Sequence, residues 1–193
     1  AITKRDFWVL IVVFVGLAGW PEPDDDYVAM HPTEQAINDA FEILEAVRRS
    51  IRTGAFNTNV HDLGQGRPVM FVHGSGPGVS AFANWRLVMP ELAKTRRVIA
   101  PDMVGFGFTD RPAGIAYTMD VWVQQALDVL DALDLPQVDL VGNSFGGALS
   151  LALAIRAPER VRRLVLMGSV GVPFAITEGL DAVWGYQPSF ENM

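Results

Sequence analysis

Gln137-Val-Asp-Leu-Val-Gly-Asn-Ser-Phe-Gly-Gly-Ala-Leu-Ser-Leu-Ala-Leu-Ala-Ile-Arg156 is the stretch on which the rest of the chain is read. Residues 137–141 form a short apolar run of strand type, and residues 145–157 are long and apolar enough for a helix. Between them lies Gly142-Asn-Ser-Phe-Gly-Gly147, a Gly-x-Ser-x-Gly motif. A serine on a tight, strained strand-to-helix turn carries its hydroxyl exposed, which makes a poor nucleophile usable. Gly142 and Gly146 suit such a turn because it brings backbone close to backbone. The N–H of Phe145 then opens a helix, where partial positive charge can stabilise an oxyanion. The bland alternative is a glycine-rich turn without chemistry. The strand before and the helix after argue against it.

A second loop supports the first. Pro68-Val-Met-Phe-Val72 reads as a buried strand, and it runs into His73-Gly-Ser-Gly-Pro-Gly78, ahead of a helix at about 83–93. A glycine-rich turn there exposes backbone N–H groups, which can form the other half of an oxyanion hole. A phosphate loop is the competing reading, but no Gly-Lys-Ser/Thr follows and the spacing fits no dinucleotide fingerprint. Elsewhere the pattern alternates. Strands at 51–53 and 56–63 flank Gly54, a strand covers 97–100, a helix 117–133 and a strand 162–167. Alternating strand and helix implies an α/β fold, a mostly parallel sheet with helices on both faces and an antiparallel start.

Composition bounds the rest. The 193 residues suit one domain, and half are hydrophobic, enough to bury a sizeable core. A net charge of −7 argues against nucleic-acid binding. There is no cysteine, so disulfides and thiol chemistry are excluded, which fits a cytoplasmic protein. The pairs Arg48-Arg49, Arg96-Arg97 and Arg162-Arg163 fall at element ends and read as solvated faces.

From about Ser50 to Met193 the chain resembles the meta-cleavage product hydrolases, α/β-hydrolases that split carbon–carbon bonds in ring-fission products of aromatic degradation. The resemblance rests on His73-Gly-Ser-Gly-Pro-Gly-Val-Ser80, Asn84-Trp-Arg86, Pro101-Asp-Met-Val-Gly-Phe-Gly-Phe-Thr-Asp110 and Gly142-Asn-Ser-Phe-Gly-Gly147. Leu166-Met-Gly-Ser-Val-Gly171 and Glu178-Gly-Leu-Asp-Ala-Val-Trp-Gly-Tyr186 add to it. Together they are most similar to the 2-hydroxymuconate semialdehyde hydrolase branch. The resemblance implies that Ser144 is the nucleophile or activates water, and that the N–H groups of Ser75 and Phe145 form the oxyanion hole. It implies that Asn84, Asn143, Gly74 and Ser80 bind a small dienoate substrate. Neither cofactor nor metal is implied, and a homo-oligomer is possible for the full-length form. On spacing alone, Asn84 serves equally as a helix N-cap. His73 reads as a structural residue beneath the loop rather than a base, and Asp102 as ordering the loop after its strand. Trp184 and Tyr186 line a pocket or pack as core.

The chain departs from the family pattern after the elbow. The family's triad runs Ser, then Asp or Glu, then His. Here His31, His61 and His73 all precede Ser144, and only Glu159, Glu178, Asp181 and Glu191 follow as acids. The expectation is a hydrolase core over 50–175, truncated before the cap domain and the last core strands, with 176–193 starting the cap. Such a chain would turn over little. Its sheet would end on an unprotected strand at 162–167, an aggregation hazard.

Residues 1–49 do not match the family. Lys4-Arg5 precede an apolar run at 7–20, which is short for a membrane span. The favoured reading is sequence from a neighbouring gene or a frameshift. A membrane anchor and a buried strand are the other readings. Pro21-Glu-Pro-Asp-Asp-Asp26 reads as a linker. Residues 33–49 read as an amphipathic helix capped by Thr33, with Ile37, Phe41, Leu44 and Val47 as its packing stripe. The functional rivals are a carboxylesterase on the same fold and a non-catalytic, membrane-associated fragment.

Overall fold

Strand β4 (Pro68–Val72) and strand β6 (Val138–Asn143) lie side by side and parallel at the centre of the sheet. The computed structural model describes residues 8–12 and 34–171. Around this pair run β1 (Trp8–Val12), β2 (Arg48–Thr53), β3 (Phe56–Leu63), β5 (Arg97–Pro101) and β7 (Val161–Met167). The order across the described sheet is β1-β7-β6-β4-β5-β3-β2. β2 and β3 pair antiparallel, as do β3 and β5, and the other pairs are parallel. The mostly parallel sheet with an antiparallel start agrees with the alternating sequence pattern.

Side-chain alternation along the strands builds two cores. Met70 and Val72 face the cluster formed with helices α4 (Met119–Ala132) and α5 (Phe145–Arg156), through Val123, Ala126, Leu130, Leu149 and Leu153. Val69 and Phe71 face the opposite cluster. That cluster takes Leu44 from helix α1 (Glu34–Ala46), Trp85 from α2 (Ala81–Trp85) and Met89 from α3 (Met89–Ala93). Successive strand residues point to opposite faces, so a strand covered on both sides is apolar throughout.

Several sequence expectations need correction. The helix expected at 83–93 is two short helices. Ser80 caps the first, its Oγ accepting the Ala83 N–H at 3.0 Å. The second starts at Met89, with Pro90 in its first turn, the part of a helix that tolerates proline. The helix expected at 33–49 stops at Ala46, because Arg48 already pairs with His61 in the β2–β3 ladder. Thr33 lies outside the described residues. Leu44 is fully buried and Val47 packs against the same cluster.

The strand at 162–167 is not left open. β1 pairs with β7 in parallel register, from Trp8 opposite Arg163 to Val12 opposite Met167. The ladder satisfies backbone groups that an edge would otherwise present. Part of the apolar run at 7–20 is thus a strand, and residues 13–20 lie outside the described residues. Among the described residues no helix is long and apolar enough to cross a membrane.

Candidate active site

The site begins where β6 ends. Ser144 has φ 53° and ψ −117°, a conformation that L-residues avoid unless the surroundings enforce it. Its N–H donates to Met167 O at 2.8 Å, and its carbonyl accepts the N–H of Gly147 at 3.0 Å and of Val170 at 3.3 Å. These bonds pin the turn to β7 and to α5. The two glycines are there for space. A Cβ on Gly142 would sit 2.4 Å from Gly146 O, and one on Gly146 would sit 2.3 Å from Val72 O. The Ser144 hydroxyl makes no capping bond to its own helix. Phe145 opens α5, and its ring meets Trp122 edge-on at 4.9 Å, which fixes the start of the helix. Trp122 is itself held through Nε1–H donating to Val104 O at 2.9 Å.

The loop after β4 reaches the elbow at Gly74. A Cβ on Gly74 would lie 3.4 Å from the Ser144 Cβ and 3.4 Å from Asn143 Nδ2. Asn84, one turn into α2, joins the two segments. Its Oδ1 accepts the Gly74 N–H at 2.8 Å and an Asn143 Nδ2 hydrogen at 3.2 Å. Asn84 is therefore not the N-cap, which is Ser80. Gly74, Asn84, Asn143, Ser144 and Phe145 thus come together, while the Ser80 hydroxyl is engaged in capping. Neither the Ser75 N–H nor the Phe145 N–H donates to a backbone carbonyl among the described residues.

His73 lies beneath this loop and is fully buried. Its Nε2 accepts the Met103 N–H at 2.9 Å, so the proton sits on Nδ1, which donates to Gly74 O at 2.7 Å. Burial pushes its pKa below the ordinary histidine value, against the opposing pull of the Gly74 carbonyl and the Asp102 charge. Both ring nitrogens are occupied, so His73 is a structural strut. His61 is also buried, with Nδ1 on Leu44 O at 3.0 Å, and desolvation lowers its pKa. It stands on β3, separated from β6 by β5 and β4.

Asp102 orders three segments at once. Its carboxylate accepts the Ala81 N–H at 2.7 Å, the Phe108 N–H at 2.8 Å and Asn59 Nδ2–H at 2.9 Å. Sequence reasoning gave Asp102 a loop role but missed Gln125. That buried side chain takes the Val104 N–H at 2.7 Å and donates to Thr58 Oγ1 and Asp102 O. The available signal was a polar residue on the buried stripe of α4, in line with Val129. A cleft of about 430 Å³ opens between Gly76–Ser80 and the 105–111 loop, with Phe108 and Arg111 on its wall. Among the described residues no group of three His, Asp or Glu side chains is arranged to hold a metal. Trp184 and Tyr186 lie outside the described residues.

The comparisons agree with this geometry. The model of the alpha/beta hydrolase fold family matches residues 67–193. The chain is 69% identical over 147 residues to the 2-hydroxymuconate semialdehyde hydrolase of Pseudomonas sp. (strain CF600), covering 76% of this chain and 52% of that protein. It is 67% identical over 147 residues to a 2-hydroxy-6-oxo-2,4-heptadienoate hydrolase of Pseudomonas putida, covering 76% and 53%. A meta-cleavage product hydrolase from Pseudomonas fluorescens IP01, crystallised as a serine-to-alanine variant with acetates, superposes with a TM-score of 0.65. That match is 58% identical and covers 75% of this chain and 53% of the other. The chain spans about half the length of the curated relatives it matches.

Proposed function

Because the chain belongs to the alpha/beta hydrolase family, we propose that its function is serine-dependent hydrolysis of a carbon–carbon bond in a ring-fission dienoate. The substrate is of the 2-hydroxymuconate semialdehyde or 2-hydroxy-6-oxo-dienoate type, the class that the relatives are named for. The observation that carries the reading is Ser144 held at φ 53° against the Gly74 backbone. In this reading residues 50–175 are the hydrolase core, residues 176–193 begin the cap, and the protein works in the cytoplasm.

The enol substrate first becomes its keto tautomer, which supplies an electron sink for the fragment that departs as a carbanion equivalent. Ser144 Oγ, or a water it activates, adds to the distal carbonyl. The Ser75 and Phe145 N–H groups take the oxyanion, each donor contributing about 3 kcal/mol. Collapse breaks the carbon–carbon bond and releases 2-hydroxypenta-2,4-dienoate, whose cleaved carbon takes up the proton given up by the nucleophile. Water then hydrolyses the acyl-serine to the acid, or, where water is the nucleophile, the acid forms at that collapse. The base is neither His61 nor His73, since one sits across the sheet and the other has both nitrogens engaged. Asn84 and Asn143 hold the dienoate end.

The test is a comparison of rates in the full-length protein on 2-hydroxymuconate semialdehyde and on a nitrophenyl ester. The dienoate should be preferred, and Ser144→Ala should lower kcat by about a thousandfold or more. Faster ester cleavage would favour the carboxylesterase reading. Unchanged dienoate turnover in Ser144→Ala would remove serine from the reaction.

A further inference from the structure

We propose that Asn84 is a positioning residue: its Oδ1 clamps the Gly74 N–H to Asn143, which fixes the loop after β4 against the elbow and withdraws the Gly74 N–H from service as a donor to substrate. The proposal rests on the reading of Ser144 as nucleophile, but its central contact can be observed without turnover.

The orientation of the Asn84 amide is settled by its partner. A backbone N–H can only donate, so the Asn84 atom 2.8 Å from Gly74 N is the oxygen. The same oxygen faces Asn143 at 3.2 Å, so Asn143 presents its nitrogen there. One acceptor thus holds two donors, Gly74 and Asn143, from segments 69 residues apart in the chain. Two consequences follow. The Gly74 N–H is consumed and cannot meet an oxyanion, which is compatible with the role proposed above for the next N–H along, that of Ser75. The Asn84 Nδ2 is left without an acceptor among the described residues, and so offers hydrogen only. A Cβ on Gly74 would stand 3.4 Å from Asn143 Nδ2, in van der Waals contact with the clamp.

Amide hydrogen exchange at Gly74 in the ligand-free 193-residue chain tests this. Asn84→Ala should speed Gly74 exchange by roughly tenfold, the loss of one hydrogen bond. Asn84→Asp keeps an acceptor for both N–H groups and should restore the rate to within about threefold. Exchange at Met70 within β4 should stay the same in all three proteins. Equal Gly74 rates in the wild type and Asn84→Ala, or no rescue by Asn84→Asp, would overturn the proposal. Should Asn84→Ala fail to fold, the aspartate variant still decides. Its charged acceptor should move the Gly74 amide proton downfield, and an unmoved resonance would sink the clamp. Failure of the exchange test leaves the proposed hydrolysis standing, and loss of hydrolysis leaves the clamp standing.

Discussion

His73 Nε2 accepts the backbone N–H of Met103 at 2.9 Å, which joins the loop after β4 to the loop after β5 under the elbow. A histidine so placed cannot collect a proton from Ser144, because its only lone pair is spent. The role is to hold Gly74 and Met103 at fixed separation, and that role needs the neutral ring.

Stability should therefore fall on mild acidification. Burial holds both His61 and His73 below the ordinary value of 6.5. Below that pH the unfolded chain takes up protons that the folded chain refuses. Stability is full above pH 6.5 and is lost as pH falls toward the folded values, by at most about 1.4 kcal/mol per pH unit for each histidine. Urea midpoints between about pH 7.5 and about pH 5.5 measure it. A flat profile would mean that neither ring is neutral by constraint.

Ser144→Gly should stabilise the chain by about 1 kcal/mol relative to Ser144→Ala. Relief of the strained φ is worth about 1–3 kcal/mol, offset by the extra freedom of glycine in the unfolded state. Neither variant loses a capping bond, since Ser144 Oγ makes none. Thermal unfolding of the two variants decides the matter. An alanine variant as stable as the glycine one would show that the turn carries no strain.

Gly146→Ala should cost at least about 3 kcal/mol, at the upper end for overpacking. The new Cβ would lie 2.3 Å from Val72 O and 2.4 Å from His73 O, both backbone atoms that cannot rotate away. Denaturant unfolding at fixed pH reads the loss directly. A change below about 1 kcal/mol would imply that α5 can slide away from β4.

Asp102→Asn should cost about 3 kcal/mol, from weakened bonds to a charged acceptor and an amide group turned on N–H donors. The carboxylate receives three hydrogen bonds and offers none. One carboxylate oxygen serves Ala81 alone and the other serves Phe108 and Asn59, so the asparagine loses least by turning its NH₂ toward Ala81. Amide exchange at Ala81 should therefore speed more than at Phe108. A greater speeding at Phe108 than at Ala81 would show that the amide takes the opposite orientation.

Much of this was legible in one dimension. Apolar alternation and the turn glycines placed β4, β6 and the elbow to within a residue or two, because strand burial and close backbone approach restrict which residues fit. Asn84 was not decidable. Cap and substrate contact both need an amide at that position, and only the placement of Ser80 as the cap excluded the first. Gln125 left only a local hint, a polar residue on the buried stripe of α4, because its partners, Thr58 and Val104, come from distant strands and loops.

The sequence by itself determined the α/β alternation, the strained Ser144 and the small residues around it, since these follow from local sterics and burial. The tertiary structure decided which N–H groups stay available, which histidines are spent, and that Trp8–Val12 covers the β7 edge. Those are pairings between segments far apart in the chain. A hydrogen bond saturates one donor and one acceptor, so a residue's role depends on which partner reached it in the folded chain.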